Sequence, residues 1–410
     1  MTLAGKHILV GISGGIAAYK IPELIRLLKK AGAGVQVTTT KNALEFVTSL
    51  TLQTVSGNKV YSDVFAAINE HSTEHISLPD WADLMVIAPA TANVLCKMAN
   101  GIADDALTTT FAAMRKPVVI APAMNTNMYE SPATQKAINE LSTWDNITML
   151  DAASGELACG TTGKGRMQEI ETIVAAAEYA LTPKTLANKH VLITAGPTQE
   201  AIDPVRYISN ASTGKMGYAL VRACLKRGAK VTLVTGPTHL TLQPWMAFCP
   251  LEMQHVNSCQ EMCEASINVF QQADIAILCA AVADFTPNTT AQQKIKKQPG
   301  QTGMTIELKT TTDIAATLGK SKRPNQTLVG FALETHNELA NAERKLQSKN
   351  LDMIVLNSLQ DQGAGFGVDT NKVTLIHADG TKKHLPLLLK QEVADAIIDH
   401  IDCSDRSGTL

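Results

Sequence analysis

The chain opens twice in the same way, and this repetition constrains its fold more than any other feature. Residues 5–15 read GKHILVGISGG, and residues 188–198 read NKHVLITAGPT. Each segment places a Lys-His pair before an apolar β-branched run, and a turn of small residues follows. A strand, a small-residue turn and an amphipathic helix open a parallel α/β sheet. The sequence therefore predicts two such sheets.

The correspondence between the two halves continues beyond these openings. Residues 31–37 (AGAGVQV) correspond to residues 227–233 (RGAKVTL), and residues 82–88 (ADLMVIA) correspond to residues 273–279 (ADIAILC). We therefore predict an α/β protein with two Rossmann-like, three-layer, parallel-sheet domains. They are expected to span residues 1–187 and 188–410, and the first is expected to be flavodoxin-like.

Composition and charge exclude several classes of function. The 410-residue chain is 45% apolar and 18% charged, and its formal net charge is −2. A nearly neutral chain has no general attraction to nucleic acid or to anionic lipid, so we expect neither as a partner. The longest apolar stretch, Ile275–Ala283, is far shorter than the roughly 20 residues that a membrane-spanning helix needs. A cytoplasmic location is the simplest expectation.

The first strand-to-helix turn, Ser13-Gly14-Gly15, indicates a monophosphate site rather than a dinucleotide site. Gly11, Ser13 and Ile16 occupy the three positions that the dinucleotide fingerprint reserves for glycine. The second strand ends in a run of three hydroxyl side chains, residues 38–40. Backbone N–H groups and hydroxyls at a helix start suit a phosphate, which favours flavin mononucleotide (FMN). A turn required only for tight chain geometry is the alternative.

Three further segments are predicted to lie near this turn. Residues 89–93 (PATAN) and 122–128 (PAMNTNM) each follow a buried strand, and open α/β sheets bind ligands beyond the carboxyl ends of strands. Residues 155–167 (GELACGTTGKGRM) place four glycines around Cys159, which predicts a flap.

The segments SGGIAAYK, PATAN, PAMNTNM and ACGTTGKGRM, in this order, resemble the flavin-dependent cysteine decarboxylase family. The resemblance implies FMN as the cofactor, bound by Ser13, Gly14, Gly15, Thr40, Pro89, Thr91 and Asn93. It also implies substrate contacts from Met124, Met128, Gly165, Arg166 and Met167.

The same resemblance implies three catalytic residues. Loss of CO2 from an N-acylated cysteine leaves an electron pair without a sink, so the thiol is first oxidised to a thioaldehyde by hydride transfer to flavin. After CO2 leaves, the enethiol takes back a hydride and a proton. The resemblance implies His75 as the base of the oxidation, Asn125 as the carboxylate anchor and Cys159 as the last proton donor. Such positioned acid–base groups contribute about 10²–10⁴ in rate.

The second half carries its own polar loops, with the sequences TAGPT, DPVRYISN, STGKMG, AAVADF, KIKK and GFALET. The Gly-Lys pair does not make a P-loop, because Ser209 and Met216 stand where glycine and Ser/Thr are required. A different anion cradle remains open. Lys345 and Lys349 share one helix face, where they repel each other unless an anion or an acidic side chain lies between them.

This ordered set resembles the phosphopantothenate–cysteine ligase family, which joins cysteine to 4′-phosphopantothenate with CTP through an acyl-cytidylate. The resemblance implies that Asn210 orients the acyl-cytidylate, that Lys294 stabilises charge during activation and that Arg206 contacts substrate. Mg²⁺ is expected with the triphosphate, with no ligands assigned. Residues 310–312 (TTT) depart from the Lys-Asn/Thr-Pro that usually precedes the family's aspartate. The implied CTP site comprises Leu278, Cys279, Ala280, Asp284, Lys294, Thr312, Asp313, Ile314, Ala315, Phe331, Lys345 and Lys349.

Together the two halves resemble the bacterial bifunctional phosphopantothenoylcysteine decarboxylase/phosphopantothenate–cysteine ligase family of coenzyme A biosynthesis. The family implies a homo-oligomer, a dodecamer of decarboxylase trimers linked by ligase dimers. Two alternatives stay open. One is a flavin-dependent decarboxylase or prenyltransferase with a degenerate second half. The other is a binding or regulatory protein that keeps the flavin fold without turnover, against which intact His75, Asn125 and Cys159 argue.

Overall fold

The computed structural model describes residues 3–65, 73–156, 162–243, 245–246, 249–297, 299, 302–334, 336–358, 365 and 367–406, the side chains of 402–406 excepted. The chain divides into two compact units, Met1–Thr182 and Pro183–Leu410. Both units are built on largely parallel sheets flanked by helices, so the predicted α/β class is confirmed.

A parallel six-stranded sheet forms the centre of the first unit. Its strands are β1 (His7–Ile12), β2 (Gly34–Thr39), β3 (Val60–Tyr61), β4 (Leu84–Ala90), β5 (Val118–Pro122) and β6 (Ile147–Met149). They lie in the order β3-β2-β1-β4-β5-β6, and an antiparallel hairpin of β7 (Ala153–Glu156) and β8 (Thr162–Arg166) follows. The helices are α1 (Ile21–Lys30), α2 (Ser49–Ser56), α3 (Glu74–Trp81), α4 (Ala92–Ala99), α5 (Ala106–Ala113), α6 (Thr126–Glu130), α7 (Pro132–Ser142) and α8 (Ile170–Leu181).

The helices cover both faces of this sheet because successive strand residues point to opposite sides. In β1, Ile8 and Val10 belong to the same apolar cluster as Leu24 of α1. Leu9, between them, belongs to the cluster on the other face, with Leu95 of α4. All five side chains are fully buried. The first unit therefore has the three layers that the sequence predicts.

The second unit is built on an eight-stranded sheet. Its strands in chain order are β9 (His190–Ala195), β10 (Gln199–Ala201), β11 (Tyr207–Ser209), β12 (Lys230–Thr235), β13 (Leu251–His255), β14 (Ile275–Leu278), β15 (Phe285–Pro287), β16 (Leu308–Thr310), β17 (Thr327–Glu334), β18 (Met353–Ser358), β19 (Thr370–Asn371), β20 (Val373–His377), β21 (Lys382–His384) and β22 (Leu388–Leu389). The large sheet has the order β13-β12-β9-β14-β17-β18-β20-β21, and β10–β11, β15–β16 and β19–β22 form separate pairs. The helices are α9 (Lys215–Lys226), α10 (Cys259–Phe270), α11 (Ile314–Ser321), α12 (Glu338–Ser348) and α13 (Lys390–Arg406).

The two units share one strand order. The parallel part of the second sheet, β13-β12-β9-β14-β17-β18, repeats the order of the six strands of the first, and only β20 and β21 add antiparallel pairs. The order reverses between β1 and β4 in one unit and between β9 and β14 in the other. Ligands of such sheets bind at this switch point, beyond the carboxyl ends of the strands.

Within the described ranges, no helix is both long and apolar enough to span a membrane.

Candidate active sites of the two units

A cavity of about 1080 Å³ opens where the strand order of the first sheet reverses. Small-molecule sites typically occupy about 300–1,000 Å³, so this space accommodates a cofactor together with a substrate. The cavity brings together residues from all four polar segments of the first half. Of the predicted site residues, the lining includes Gly14, Gly15, Thr40, Thr91, Asn93, Met124, Asn125, Met128, Gly165, Arg166 and Met167.

Two predicted cofactor ligands, Ser13 and Pro89, do not line the cavity. Ser13 is fully buried, and its hydroxyl donates to the carbonyl oxygen of Pro89 at 2.7 Å. The same hydroxyl accepts the N–H of Thr91 at 3.0 Å. Both hydrogen-bonding functions of Ser13 are thus used within the protein, and its role here is to hold the loop after β4 against the turn after β1.

The cavity wall offers groups that suit a phosphate. Thr91 is the N-cap of α4, and the first turn of this helix lines the cavity through Asn93 and Val94. N–H groups in the first turn of a helix lack intrahelical partners and attract anions. The Thr40 hydroxyl is buried at the same wall, and it has no hydrogen-bond partner among the described residues. A Cβ on Gly14 would lie 2.5 Å from the Cβ of Asn42, so this turn needs glycine.

The opposite part of the wall suits a carboxylate. The side-chain oxygen of Asn125 accepts the N–H of Asn127 at 2.9 Å, which caps α6 and fixes the orientation of the Asn125 amide. Arg166 and Lys20 contact one carboxylate, that of Glu169, at 2.8 Å and 3.4 Å. Arg166 and Lys20 line the cavity, whereas Glu169 does not, so two cationic side chains are available at this part of the wall.

Gly165 allows the β7–β8 hairpin to approach the loop after β5. The N–H of Met124 donates to the carbonyl oxygen of Gly165 at 2.8 Å. A Cβ on Gly165 would lie 2.4 Å from the Met124 carbonyl oxygen, and the residue has a φ of +147°. Glycine at this position therefore closes the hairpin onto the cavity.

The predicted base, His75, is not among the residues that line the cavity. His75 is the second residue of α3, where it is half-buried and does not line the cavity. Cys159 lies outside the described residues. Both roles remain predictions from the sequence.

Sequence reasoning missed a charged cluster at the same cavity. Lys97 contacts Asp104 at 2.6 Å and Asp105 at 3.6 Å, and all three residues line the cavity. The hydrogen bond to Asp104 raises the pKa of Lys97 despite partial burial. Asp105 also forms a capping box with Thr108 at the start of α5. Acidic residues before an apolar helical run are an N-cap signal, and this signal could have located the cluster.

In the second unit, four side chains from distant segments hold the loop that follows β14. The N–H of Ala280 donates to the Thr194 hydroxyl at 3.2 Å, and the N–H of Ala283 donates to the Thr198 hydroxyl at 3.0 Å. The side-chain amide of Asn210 donates to the carbonyl oxygens of residues 281 and 282 at 2.9 and 3.1 Å. Asn210 therefore braces the loop with its N–H groups, which leaves its side-chain oxygen for a ligand.

The fourth side chain is that of Thr311, in the segment 310–312 whose sequence departs from the usual ligase-family pattern. The Thr311 hydroxyl donates to the Ala283 carbonyl oxygen at 2.6 Å, and its backbone N–H donates to the Asp284 carbonyl oxygen at 3.0 Å. Residue 311 thus contacts positions 283 and 284 of the loop, whereas Asn210 contacts positions 281 and 282. Asp284 itself is exposed at the end of this loop.

The two lysines predicted to repel each other each contact a different carboxylate. Lys345 forms an ion pair with Glu334 at 2.7 Å, and Lys349 forms one with Asp313 at 2.8 Å. Asp313 also caps α11 by accepting the N–H of Ala316 at 2.9 Å. Burial alone would raise the pKa of Asp313, but the Lys349 ion pair and the backbone N–H lower it below its usual value. The acidic neighbours that the spacing required are therefore present.

The other predicted ligase residues lie on two adjacent strands, in the loops that follow them and in the first turn of α11. Leu278 ends β14, and Phe331 lies in the adjacent strand β17; both are half-buried. Burial raises the pKa of the Cys279 thiol to about 12, so this residue is a neutral thiol at physiological pH. Lys294 is exposed and forms no ion pair within the described ranges.

The described parts of the two units show no metal site. Among the residues that the structure describes, no group of three His, Cys, Asp or Glu side chains comes together in a way that could hold a metal ion. Mg²⁺ ligands therefore have no assignment, as in the sequence analysis.

Comparison with known proteins assigns a family to each half. The model described as "Flavoprotein" matches residues 1–181, and the model described as "DNA/pantothenate metabolism flavoprotein C-terminal domain" matches residues 186–403.

Among curated relatives, the coenzyme A biosynthesis bifunctional protein CoaBC of Bacillus subtilis (strain 168) is 49% identical over 402 residues, covering 97% of each chain. The protein of the same name from Vibrio vulnificus (strain CMCP6) is 46% identical over 402 residues, covering 98% of each chain. A cysteine/cysteine sulfinic acid decarboxylase from an unknown prokaryotic organism is 50% identical over 360 residues, which cover 87% of this chain and 98% of that protein.

Proposed function

Because the chain belongs to the family of bifunctional coenzyme A biosynthesis proteins, we propose that its two units catalyse consecutive steps. The second unit couples 4′-phosphopantothenate to L-cysteine with CTP, through an acyl-cytidylate. The first unit decarboxylates the resulting 4′-phosphopantothenoylcysteine to 4′-phosphopantetheine with FMN. The functional boundary lies near Ala187. The observation that supports this proposal is that all four motif segments of the first unit line one cavity at the switch point of its sheet. In the second unit, the TAGPT and AAVADF segments lie at and just beyond the carboxyl ends of β9 and β14, between which the strand order reverses.

The cavity of the first unit fits FMN. The unpartnered Thr40 hydroxyl and the first turn of α4 provide phosphate contacts, and Gly14 and Gly15 let the backbone approach closely. Ser13 and Pro89 do not contact the cofactor; their hydrogen bonds hold the loop after β4, including Thr91, in position. FMN bound here would accept and return the hydride of the reaction.

The chain's own residues position the substrate in this cavity. Asn125 and Arg166 bind the substrate carboxylate that leaves as CO2. The cap hydrogen bond orients the Asn125 amide, and Arg166 shares the Glu169 carboxylate with Lys20. Met124 and Met128 provide the apolar wall, because both line the cavity. His75 as base and Cys159 as final acid follow from the sequence resemblance.

The loop after β14 provides the CTP site of the second unit. Asn210 holds residues 281 and 282 of this loop, and Thr311 holds residue 283. The backbone of the loop is therefore fixed in position to contact a nucleotide. Lys345 in the last turn of α12 and Lys349 directly after this helix serve as phosphate ligands. In the free enzyme, these carboxylate partners limit the repulsion between the two lysines. When CTP binds, a phosphate oxygen replaces the carboxylate at each lysine. Lys294 stabilises the charge that develops during activation, with Mg²⁺ bound to the triphosphate.

Exposed apolar side chains support assembly into a homo-oligomer. Ile16, Tyr19 and Phe65 are 56%, 62% and 74% exposed around the first cavity, and Val205 and Tyr207 are 58% and 54% exposed in the second unit. Exposed apolar clusters usually mark interfaces. They support a protein interface, whereas the arrangement of trimers and dimers in a dodecamer rests on the family resemblance alone.

A second candidate activity is direct decarboxylation of free cysteine. It is favoured by the 50% identity to a cysteine/cysteine sulfinic acid decarboxylase. The two candidates differ in whether the amine of cysteine must first be acylated.

One assay separates them. The purified protein, loaded with FMN, is given 4′-phosphopantothenate, L-cysteine, CTP and Mg²⁺, and the products are identified by mass spectrometry. The proposal expects 4′-phosphopantetheine, with none formed when CTP is omitted. Formation of cysteamine from cysteine alone, without 4′-phosphopantetheine, would instead support the second candidate.

A further inference from the structure

Asp203 is a carboxylate with no access to solvent, located between β10 and β11. Its side chain is 0% exposed. Oδ1 accepts the N–H groups of Val205 and Arg206 at 2.8 and 2.9 Å. Oδ2 accepts Nε of Arg206 at 3.0 Å, a second N–H of the same guanidinium, and the N–H of Ile295 at 3.0 Å. An ionised carboxylate has about four lone-pair positions, so this one is fully used.

Two loops of the second unit meet at this carboxylate. One carries Arg206, and the other carries Lys294. The Arg206 guanidinium also donates to the Ile295 carbonyl oxygen at 2.8 Å. Further along, the N–H of residue 291 donates to the carbonyl oxygen of residue 202 at 3.0 Å, and the Thr290 hydroxyl donates to that of residue 201 at 3.2 Å. The segment 290–295 is therefore fastened along the β10–β11 hairpin.

We infer that Asp203 is a positioning residue of the ligase reaction, which fixes Arg206 and Lys294 relative to each other; this inference rests on the proposed function. Lys294 is exposed, so the reach of its ammonium group is set by the backbone that Ile295 anchors. Without the negative charge of Asp203, the guanidinium and the Ile295 N–H lose their common acceptor. The distance between the Arg206 guanidinium and the Lys294 ammonium group, both proposed to contact the substrates, is then no longer fixed.

The test compares Asp203→Asn with the wild type in the full-length protein loaded with FMN. Asparagine keeps the shape of the side chain, but its amide N–H groups replace either Oδ2, to which three donors point, or Oδ1, to which two donors point. A displacement of about 1 Å in a positioning group costs about 10²-fold, so kcat of CTP-dependent coupling is expected to fall by about that factor. Decarboxylation of supplied 4′-phosphopantothenoylcysteine is expected to stay at the wild-type rate, because it depends on the first unit.

Asp379→Asn is the matched control. Asp379 accepts a backbone N–H at 2.8 Å in the exposed turn between β20 and β21 of the same unit. The change of carboxylate to amide there is expected to leave both activities unchanged.

Limited tryptic digestion supplies a readout that a general structural role would not give. In Asp203→Asn, cleavage after Lys294 and Lys296 is expected to accelerate while cleavage elsewhere keeps its wild-type rate. Wild-type kcat, or faster cleavage throughout the second unit, would overturn the positioning role. A wild-type protein that does not couple the substrates would reject the proposed function, while the digestion pattern still reports on Asp203.

Thr290→Val decides the question if Asp203→Asn does not fold. This variant removes another fastening of the same segment while every charge stays in place. A smaller loss of coupling kcat, with the same local acceleration of cleavage, supports the inference. Unchanged coupling and unchanged cleavage contradict it.

Discussion

Ser13 and Thr91 are joined across the switch point of the first sheet, because the Thr91 N–H donates to the Ser13 hydroxyl at 3.0 Å. The Ser13 hydroxyl in turn donates a hydrogen bond to the Pro89 carbonyl oxygen at 2.7 Å. Thr91 lines the cavity, whereas Ser13 does not. We therefore expect Ser13 to affect a bound cofactor through the position of the loop after β4.

Replacement of Ser13 by alanine is expected to weaken FMN binding. The change leaves the Thr91 N–H without its acceptor, whereas the Pro89 carbonyl oxygen keeps the Ser13 backbone N–H at 3.3 Å. One unpaired buried group costs about 1–3 kcal/mol. An increase of about tenfold in the Kd for FMN corresponds to about 1.4 kcal/mol and is the expected result. Titration with FMN, followed by quenching of flavin fluorescence, measures it. Ser142→Ala, which removes a hydroxyl bonded to Ile138 on α7, should keep the wild-type Kd; equal Kd values for both variants would contradict the role of Ser13.

Replacement of Thr311 by valine is expected to destabilise the second unit. The variant keeps the branched shape but removes the hydroxyl that donates to the Ala283 carbonyl oxygen at 2.6 Å. The loss of one such hydrogen bond costs about 1 kcal/mol. For a domain of this size, that corresponds to a decrease in Tm of about 2–4 °C, measurable by differential scanning calorimetry. Thr311→Ser retains the donor and should keep the wild-type Tm. A Thr311→Val Tm equal to that of wild type would show that the loop does not depend on this bond.

The fold could be predicted because its signals are local in sequence. The N–H of His7 donates to the Asp83 carboxylate at 2.8 Å, and the N–H of His190 donates to the Asp274 carboxylate at the same distance. These four residues lie in the segments that correspond between the two halves. Apolar periodicity, small-residue turns and this repetition are sufficient to indicate two related parallel sheets.

The partners of the site side chains could not be predicted in the same way. Asn210 donates to backbone carbonyls 71 and 72 residues away, and Asp203 accepts an N–H 92 residues away. Backbone atoms carry no sequence signal, so only the folded chain shows which carbonyl or N–H a side chain meets. The family motifs therefore locate the sites, whereas the structure distinguishes residues that line them from residues that hold the lining in place.

Lys294→Gln is expected to stop CTP-dependent coupling while leaving decarboxylation of supplied 4′-phosphopantothenoylcysteine intact. Glutamine keeps much of the side-chain length but removes the positive charge proposed to stabilise activation. The two activities are measured separately by product mass spectrometry. Lys382→Gln, which removes an exposed ion pair with Glu343, should retain both. Loss of both activities in Lys294→Gln would instead indicate misfolding or interdependent units.

Cys159→Ser is expected to release CO2 and to accumulate an oxidised enethiol product. A serine hydroxyl is a much weaker acid than a thiol, so only the last proton delivery is lost. The residue lies outside the described part of the chain, and the expectation rests on the ACGTTGKGRM resemblance. Released CO2 and the mass of the product are the measurements. Wild-type output of 4′-phosphopantetheine would reject Cys159 as the proton donor.

The stability of the second unit is expected to depend on Asp203 in a defined pH range. The hydrogen bonds from Arg206 hold the pKa of Asp203 well below its usual value. Burial alone would raise this pKa, whereas the Ile295 and Val205 N–H groups lower it further. In the unfolded chain this carboxyl takes up a proton near about pH 4, whereas in the folded chain it stays ionised to lower pH. The unfolded state then binds more protons, so the free energy of unfolding falls as the pH falls below about 4.

Asp203→Asn lacks this group and therefore this dependence. The difference in Tm between wild type and Asp203→Asn should be constant at neutral pH and should narrow below about pH 4, because the wild type loses the contribution of the ionised carboxylate there. Calorimetric scans of both proteins from neutral pH to about pH 3 measure the difference across the pKa range of a carboxyl group. A difference that stays constant through this acidic range would mean that the negative charge of Asp203 does not stabilise the junction between the Arg206 and Lys294 loops.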